Sequence, residues 1–214
     1  MTEVFLIRHG ESIANLQHRA AGHVDPPLSE LGIRQAEITA AALANTRFDA
    51  VFSSDLSRAY DTALPHAEMR GLCVIKRLNL REVFLGEWEG MHVDKIIEKY
   101  GAESYYGGWR DNFGTYIIPG GEGAAACGKR IYDEIESICK GRDRERILIV
   151  CHGAAIRSFY SLVLGLRPEE FGSKLTYPSN ASITRVDYDG GRFLPVKYSE
   201  DSHMESIGIT KVNW

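Results

Sequence analysis

The sequence is short of cysteine and has no pair of cysteines at a metal-binding or redox spacing. Cys73, Cys127, Cys139 and Cys151 are scattered, with no CxxC motif, and read as buried small hydrophobes of a reducing compartment. An excess of charge of one sign is also missing. With 25 Lys and Arg against 29 Asp and Glu the net charge is -4, so no global field draws nucleic acid or an anionic membrane. An anionic ligand would need a local cationic pocket. No apolar run is long enough to span a bilayer, and Met1-Thr2-Glu3-Val4 lacks the basic and apolar segments of a secretory leader. The expectation is a soluble cytoplasmic protein. Repeats, charge blocks and low-complexity tracts are absent too, and 214 residues suffice to bury one sizeable core.

The most informative stretch that is present runs from Val4 to Ser12. Val4 to Ile7 are apolar and partly β-branched, which predicts a short buried strand. The strand stops at Arg8-His9-Gly10, where the glycine permits a sharp turn and leaves a cation and an imidazole at the carboxyl end. The polar stretch from Ile13 to Pro27 reads as a long functional loop. Ser29 is the expected N-cap of a helix to about Asn45, with Ile33, Ala36, Ala40 and Leu43 on its core face.

The pattern then repeats. Asp49 to Ser53 predicts a strand, followed by a helix capped by Asp55 or Ser57 and carrying Arg58. Leu72 to Lys76 predicts a third strand, followed by the acidic and aromatic run from Leu80 to Gly90 with Glu82 in it. A short helix is expected near Val93 to Tyr100, inside an irregular, Gly- and aromatic-rich stretch. A helix from about Glu122 to Lys140 leads to a strand at Ile147 to Val150, then Cys151-His152-Gly153 and an apolar helix to Gly165. Asp189-Gly190-Gly191 between two alternating segments signals a terminal hairpin. The fold class is therefore α/β, a three-layer α/β/α sandwich with a mainly parallel central sheet.

In such sheets ligands bind beyond the carboxyl ends of the strands. Every polar cluster falls there, so one cleft is expected to gather Arg8, His9, Arg58, Glu82 and His152. Paired guanidiniums suit phosphoryl oxygens, with helix amino termini adding backbone donors. A neutral imidazole is a competent nucleophile toward phosphorus, and a carboxyl group can protonate a leaving oxygen. Taken singly, each residue also has a plain structural reading. Glu82 would pair with Arg81 or Arg77, His152 would be a core histidine, and Arg58 would be a helix-surface charge. Glu11, Glu87 and Glu89 read as structural or solvated carboxylates, and His18 and His23 lack the companions a metal site needs.

These residues resemble the histidine phosphatase superfamily, the phosphoglycerate mutase-like group with the Arg-His-Gly motif. The resemblance rests on Leu6 to Ser12 with Asn15, Asp25 to Gly32, Ser53 to Ala59, Leu80 to Glu82, Gly86 to Gly90, Pro119 to Glu122, and Val150 to Gly153. It implies one domain over 1–214 with a lid or specificity insertion at about 91–123. It further implies a phosphohistidine on His9, Glu82 as proton donor, and Arg8, Asn15, Gly22, Arg58, His152 and Gly153 around the phosphoryl group. Neither a metal nor another cofactor is implied, and the expected partner is a small phosphorylated metabolite. The oligomeric state stays open, a homodimer included.

Three departures from the family pattern stand out: Ala21 before Gly22, Cys151 before His152 and Gly123 after Glu122, where hydroxyl residues are common. The run Arg81 to Gly90 is more similar to the phosphatase branch than to the mutase branch, which favours hydrolysis. The alternative is a cofactor-dependent phosphoglycerate mutase, with Arg110 or Arg19 binding a carboxylate. A third reading, a catalytically silent phosphoryl-binding module, would have lost His9 or Glu82, and both are present. Lys129-Arg130 reads as a solvated helix face. Phe84, Trp88, Tyr105, Tyr106 and Trp109 form either an aromatic wall for an apolar substrate or the packing of the insertion onto the sheet.

Overall fold

The computed structural model describes residues 1–207, so 208–214, the end of the expected 1–214 domain, lie outside the described residues. Six strands form one sheet in the order β3-β2-β4-β1-β5-β6. They are β1 (Thr2–Arg8), β2 (Ala50–Ser54), β3 (Val74–Arg77), β4 (Arg146–Cys151), β5 (Ile183–Asp189) and β6 (Arg192–Glu200). β1, β2, β3 and β4 run parallel, with Ile7 opposite Val150 and Ser53 opposite the same residue on the other side. The hairpin strands β5 and β6 close one edge antiparallel, turning at Gly190-Gly191. The central strands β1, β2 and β4 are buried on both faces, which is why they read as continuous apolar runs rather than as alternation.

The helices are α1 (Ile13–Leu16), α2 (Glu30–Ala42), α3 (Ser57–Glu68), α4 (Val93–Tyr100), α5 (Ala124–Cys139), α6 (Gly153–Val163) and α7 (Phe171–Lys174). Two apolar clusters mark the two faces of the sheet. One joins Phe52, Ile149 and Val4 to Ile131, Ile135 and Phe159 of α5 and α6. The other joins Ile7, Val51 and Val150 to Ala59, Ala63 and Ala67 of α3. The expected three-layer α/β/α sandwich is the observed architecture.

Several local expectations are corrected. Ile33 is 51 % exposed, whereas Ala36 and Ala40 are buried: the core-facing stripe of α2 is drawn by small residues, and the helix packs against α3. Cys73 is exposed, unlike the other three cysteines. The third strand begins at Val74, later than Leu72, because Leu72 still bonds back to Ala67 at the end of α3. The Ile13 to Pro27 stretch is not all loop, since Ser12 caps the short helix α1 through the Asn15 amide. Neither Asp55 nor Ser57 caps α3: the N-cap is Leu56, with Asp55 drawn to Arg81 and Ser57 to Asp25. Within the stretch 91–123, α4 is followed by a wide helical turn of π type over Ser104–Asp111, whose Tyr105 and Trp109 are buried.

Candidate active site

Arg8 is the last residue of β1, and His9 and Gly10 begin the turn beyond it. A Cβ on Gly10 would sit 2.4 Å from the Gly32 carbonyl, so the first turn and the start of α2 touch backbone to backbone. The Gly10 amide donates to Thr62 Oγ1 of α3. This packing pins His9 at the strand end. His9 Nδ1 donates to the Gly10 carbonyl at 2.7 Å, because a carbonyl can only accept. That bond selects the tautomer whose Nε2 carries the lone pair.

The sequence-predicted residues converge on one cleft. Arg8, His9, Asn15, Gly22, Arg58 and Glu82 all line it. His152 sits just behind, its ring centroid 5.2 Å from that of His9. Arg58 is 1 % exposed and therefore not a surface charge; its two terminal nitrogens donate to the Val24 and Gly22 carbonyls. Those bonds explain why the polar loop after α1 folds back over the site. Arg8, equally buried, donates to the Pro178 carbonyl and lies 5.0 Å above the Tyr177 ring. The Nε atoms of both arginines and both ring nitrogens of His152 have no protein partner. Buried donors without partners are rare in folded proteins, and their concentration here marks a place built for an anion.

The electrostatics agree. Burial pulls both guanidiniums down from their usual range, with Glu82 acting against the shift in each case. Arginine nevertheless keeps its proton, so the cleft retains two desolvated positive charges. The His9 imidazole is held well below the ordinary histidine value by burial, and then by Arg58 and Arg8. His152 is lowered by burial, by Arg58 and by His9. Both imidazoles are neutral near pH 7. The Cys151 thiol beside them is buried and pushed up to about 12, which removes it as a nucleophile.

Glu82 does not pair with Arg81 or Arg77. Its Oε1 accepts from the Val83 and Ala155 amides at 2.9 and 2.8 Å, and its Oε2 accepts from the Ala154 amide at 3.1 Å. The amino terminus of α6 is thus occupied by Glu82 rather than left open for a phosphoryl group, which corrects the expectation from the sequence. The start of α3 is taken in the same way, by Asp25 on the Ser57 amide. Gly153 opens α6, where a Cβ would lie 2.3 Å from the Tyr177 ring, so the absence of a side chain there lets that ring approach. Asn15 Oδ1 accepts from Ser12 and Asn180, which leaves its NH2 group as the end able to meet a ligand.

Three contributors escaped the sequence reading. Tyr177 stacks under Arg8 and brings its hydroxyl within 3.4 Å of Glu82 Oε2, from a segment with no motif around it. Asn180 donates to the His9 carbonyl. Arg130, read as solvated, is half-buried: its guanidinium donates to the Asn79, Arg81 and Glu82 carbonyls and pairs with Glu122. Lys129 does face solvent, paired with Asp133. Glu89 accepts from the His23, Val24 and Leu85 amides, a structural role in line with the plain reading of that carboxylate. His23 Nε2 donates to the Glu82 carbonyl.

Of the five aromatics, Trp88, Tyr105 and Trp109 line the cleft, whereas Phe84 and Tyr106 are exposed and do not. Arg19 and Arg110 also stand away from it. Arg19 donates to the Gly90 carbonyl, and Arg110 pairs with Asp111 over the Tyr106 ring. Among the described residues no group of three or more His, Cys, Asp or Glu is placed to hold a metal ion, and no helix is long and apolar enough to cross a membrane.

The chain is similar to known proteins over nearly its whole length. It is 34% identical to phosphoserine phosphatase 1 of Hydrogenobacter thermophilus, over 95% of each chain. It is 33% identical to a probable phosphoglycerate mutase of Yersinia pestis, over 91% of this chain and 88% of the other. Among solved structures, a mycobacterial glucosyl-3-phosphoglycerate phosphatase complexed with VO3 superposes with a TM-score of 0.84 at 29% identity, over 93% of this chain and 99% of that one. The family model of the histidine phosphatase superfamily (branch 1) matches residues 4–201. With its α/β sandwich and its Arg-His-Gly turn at the end of β1, the chain belongs to the histidine phosphatase superfamily and is an enzyme of its first branch.

Proposed function

We propose that this enzyme hydrolyses a small phosphomonoester through a phosphohistidine on His9. The observation that carries the reading is the His9 tautomer: Nδ1 is committed to the Gly10 carbonyl, so Nε2 offers its lone pair in a cleft with two buried guanidiniums. In the first step the Nε2 lone pair forms a bond to phosphorus and the ester P–O bond breaks. The leaving oxygen takes a proton from the Glu82 carboxyl group. In the second step Glu82, now a carboxylate, takes a proton from water as the water oxygen bonds to phosphorus. The P–N bond breaks, releasing phosphate and neutral His9.

The roles follow from charge and donors. Arg8 and Arg58 stabilise the equatorial oxygens, with the Asn15 amide and His152 completing the shell. Gly22 and Gly153 act through the backbone and the space they leave. No residue of the cleft requires a metal ion for this sequence of steps. Hydrolysis is favoured over mutase chemistry because Arg19 and Arg110, the cations that a glycerate carboxylate would need, lie outside the cleft. The stretch 91–123 supplies Ile96, Tyr105 and Trp109 to the cleft wall, which supports its reading as a specificity insertion. Solubility, a cytoplasmic location and a small phosphorylated partner accord with this reading.

A phosphorus NMR time course with a panel of phosphate esters, including 3-phosphoglycerate primed with 2,3-bisphosphoglycerate, tests it against His9→Ala as the blank. Free phosphate formed by the intact protein alone is the expected result. Isomerisation of 3-phosphoglycerate to 2-phosphoglycerate would replace it with the mutase reading. Silence across the panel would favour the phosphoryl-binding module.

A further inference from the structure

The cleft is divided by chemistry. Its arginine, histidine and glutamate lining residues, Arg8, His9, Arg58 and Glu82, all belong to the end where phosphorus would sit. Besides Ser12, Asn15, Ala21, Gly22, Ala154 and Tyr177, the wall is Ala20, Leu85, Trp88, Ile96, Tyr105 and Trp109. Both terminal nitrogens of Arg58 are already bonded to backbone carbonyls, and one of those of Arg8 is bonded to Pro178. A phosphoryl group would take up the remaining cationic donors. Nothing positive is then left for a second anionic group on the substrate.

From this division we infer that the alcohol half of the substrate is uncharged and apolar, with a flat or aromatic body. The inference rests on the phosphohistidine reading and sharpens it. A carboxylate brought beside Trp88 and Ile96 would lose its hydration with no ion pair in return, which is strongly unfavourable. A ring would exchange water for contact with three aromatic side chains. The wall is also ordered in advance. Trp88 is 1 % exposed and has ring centroids of Tyr105 and Trp109 at 6.2 and 6.4 Å, so the side chains lose little freedom when a ligand enters. The buried Trp88 Nε1 has no hydrogen-bond partner, so a neutral acceptor on the ring would satisfy it. Phosphoserine and 3-phosphoglycerate, substrates that the names of similar proteins would suggest, both carry the carboxylate that this wall disfavours.

The test is the substrate preference of the unmodified enzyme. Initial rates are measured for five alkyl phosphates: methyl, benzyl, glycerol 3-, phosphoserine and 3-phosphoglycerate. The expected kcat/KM for benzyl phosphate exceeds that for glycerol 3-phosphate by at least about tenfold, since each apolar group buried in such a pocket carries about that factor. The two carboxylate esters should fall below glycerol 3-phosphate. Trp109→Ser should cut the benzyl-to-methyl ratio to under a third of its original value, and a ratio of two rates is independent of how much of the variant folds. A benzyl advantage below tenfold, or a carboxylate ester turned over best, overturns the inference while leaving His9 chemistry intact. Loss of all turnover in His9→Ala separates the two claims. If no ester is hydrolysed and His9 never becomes labelled, the phosphohistidine reading itself fails.

Discussion

Arg130 Nη2 donates to the backbone carbonyl of Glu82 across 3.0 Å. The same guanidinium bonds the carbonyls of Asn79 and Arg81, and its partner Glu122 accepts from the Phe84 amide. One half-buried ion pair therefore holds both flanks of the segment that carries the proposed proton donor. Burial pulls the Arg130 guanidinium down, yet its bonds to Glu122 leave it raised overall.

Arg130→Lys keeps a charge but cannot reproduce three carbonyl contacts. We expect it to lower kcat on alkyl phosphates by about tenfold, a fraction of the 10²–10⁴ that a positioned acid contributes. Turnover of p-nitrophenyl phosphate, whose leaving oxygen needs no proton, should change little. Equal losses on both esters would show that Arg130 acts on the fold and not through Glu82.

His9→Ala should abolish turnover and leave no acid-labile phosphate on the protein after a rapid quench with labelled substrate. Its thermal midpoint should stay close to that of the parent, because the ring is held mainly by one backbone bond. Labelling of the variant at another residue would move the nucleophile elsewhere.

The depressed His9 value has a direct signature. In the free enzyme the ring proton signals of His9, identified by comparison with His9→Ala, should titrate below pH 6.5. Replacing Arg58 by Gln removes a positive neighbour and should raise that midpoint. A midpoint at or above 6.5 in the parent would contradict the electrostatic account.

His66 makes stability depend on pH. It is fully buried in α3 with both ring nitrogens unpartnered, and burial, then Arg70 and His203, lower it to about 3. Between that value and 6.5 the unfolded chain binds a proton that the folded chain does not, so stability falls as pH falls through this window. At pH 5 the loss from this one group is on the order of 2 kcal/mol. His66→Leu should flatten the fall in thermal midpoint between pH 7 and 5; an unchanged slope would assign acid sensitivity to other groups.

Tyr177→Phe keeps the ring beneath Arg8 and removes a long hydroxyl contact to Glu82. A loss of less than about 1 kcal/mol, under roughly fivefold in kcat, is expected. Tyr177→Ala removes the ring against Gly153 as well, and should destabilise by ~3 kcal/mol or more in a chemical melt.

The sequence alone determined the layered fold and the convergence of its motif residues on one cleft. Strand length and apolar continuity are local signals, and a parallel sheet carries its loops to one edge, so Arg8, Arg58, Glu82 and His152 had to meet once the strands were assigned. Tertiary structure decided what each group has left to offer. Whether the amino terminus of α6 faces a ligand or a carboxylate depends on where the chain around Glu82 returns, and it returns onto Ala154 and Ala155. Arg130 shares its dipeptide with a solvated lysine, and only the helix's rotation against the Asn79 to Glu82 segment turns one residue inward and the other out. Tyr177 and Asn180 reach the site across more than 90 residues of sequence, a separation at which no spacing rule applies. Burial, and with it the lowered His9 imidazole and the uncharged outer wall, belongs to the packed molecule, because desolvation is a property of everything that surrounds a group and not of its neighbours in the chain.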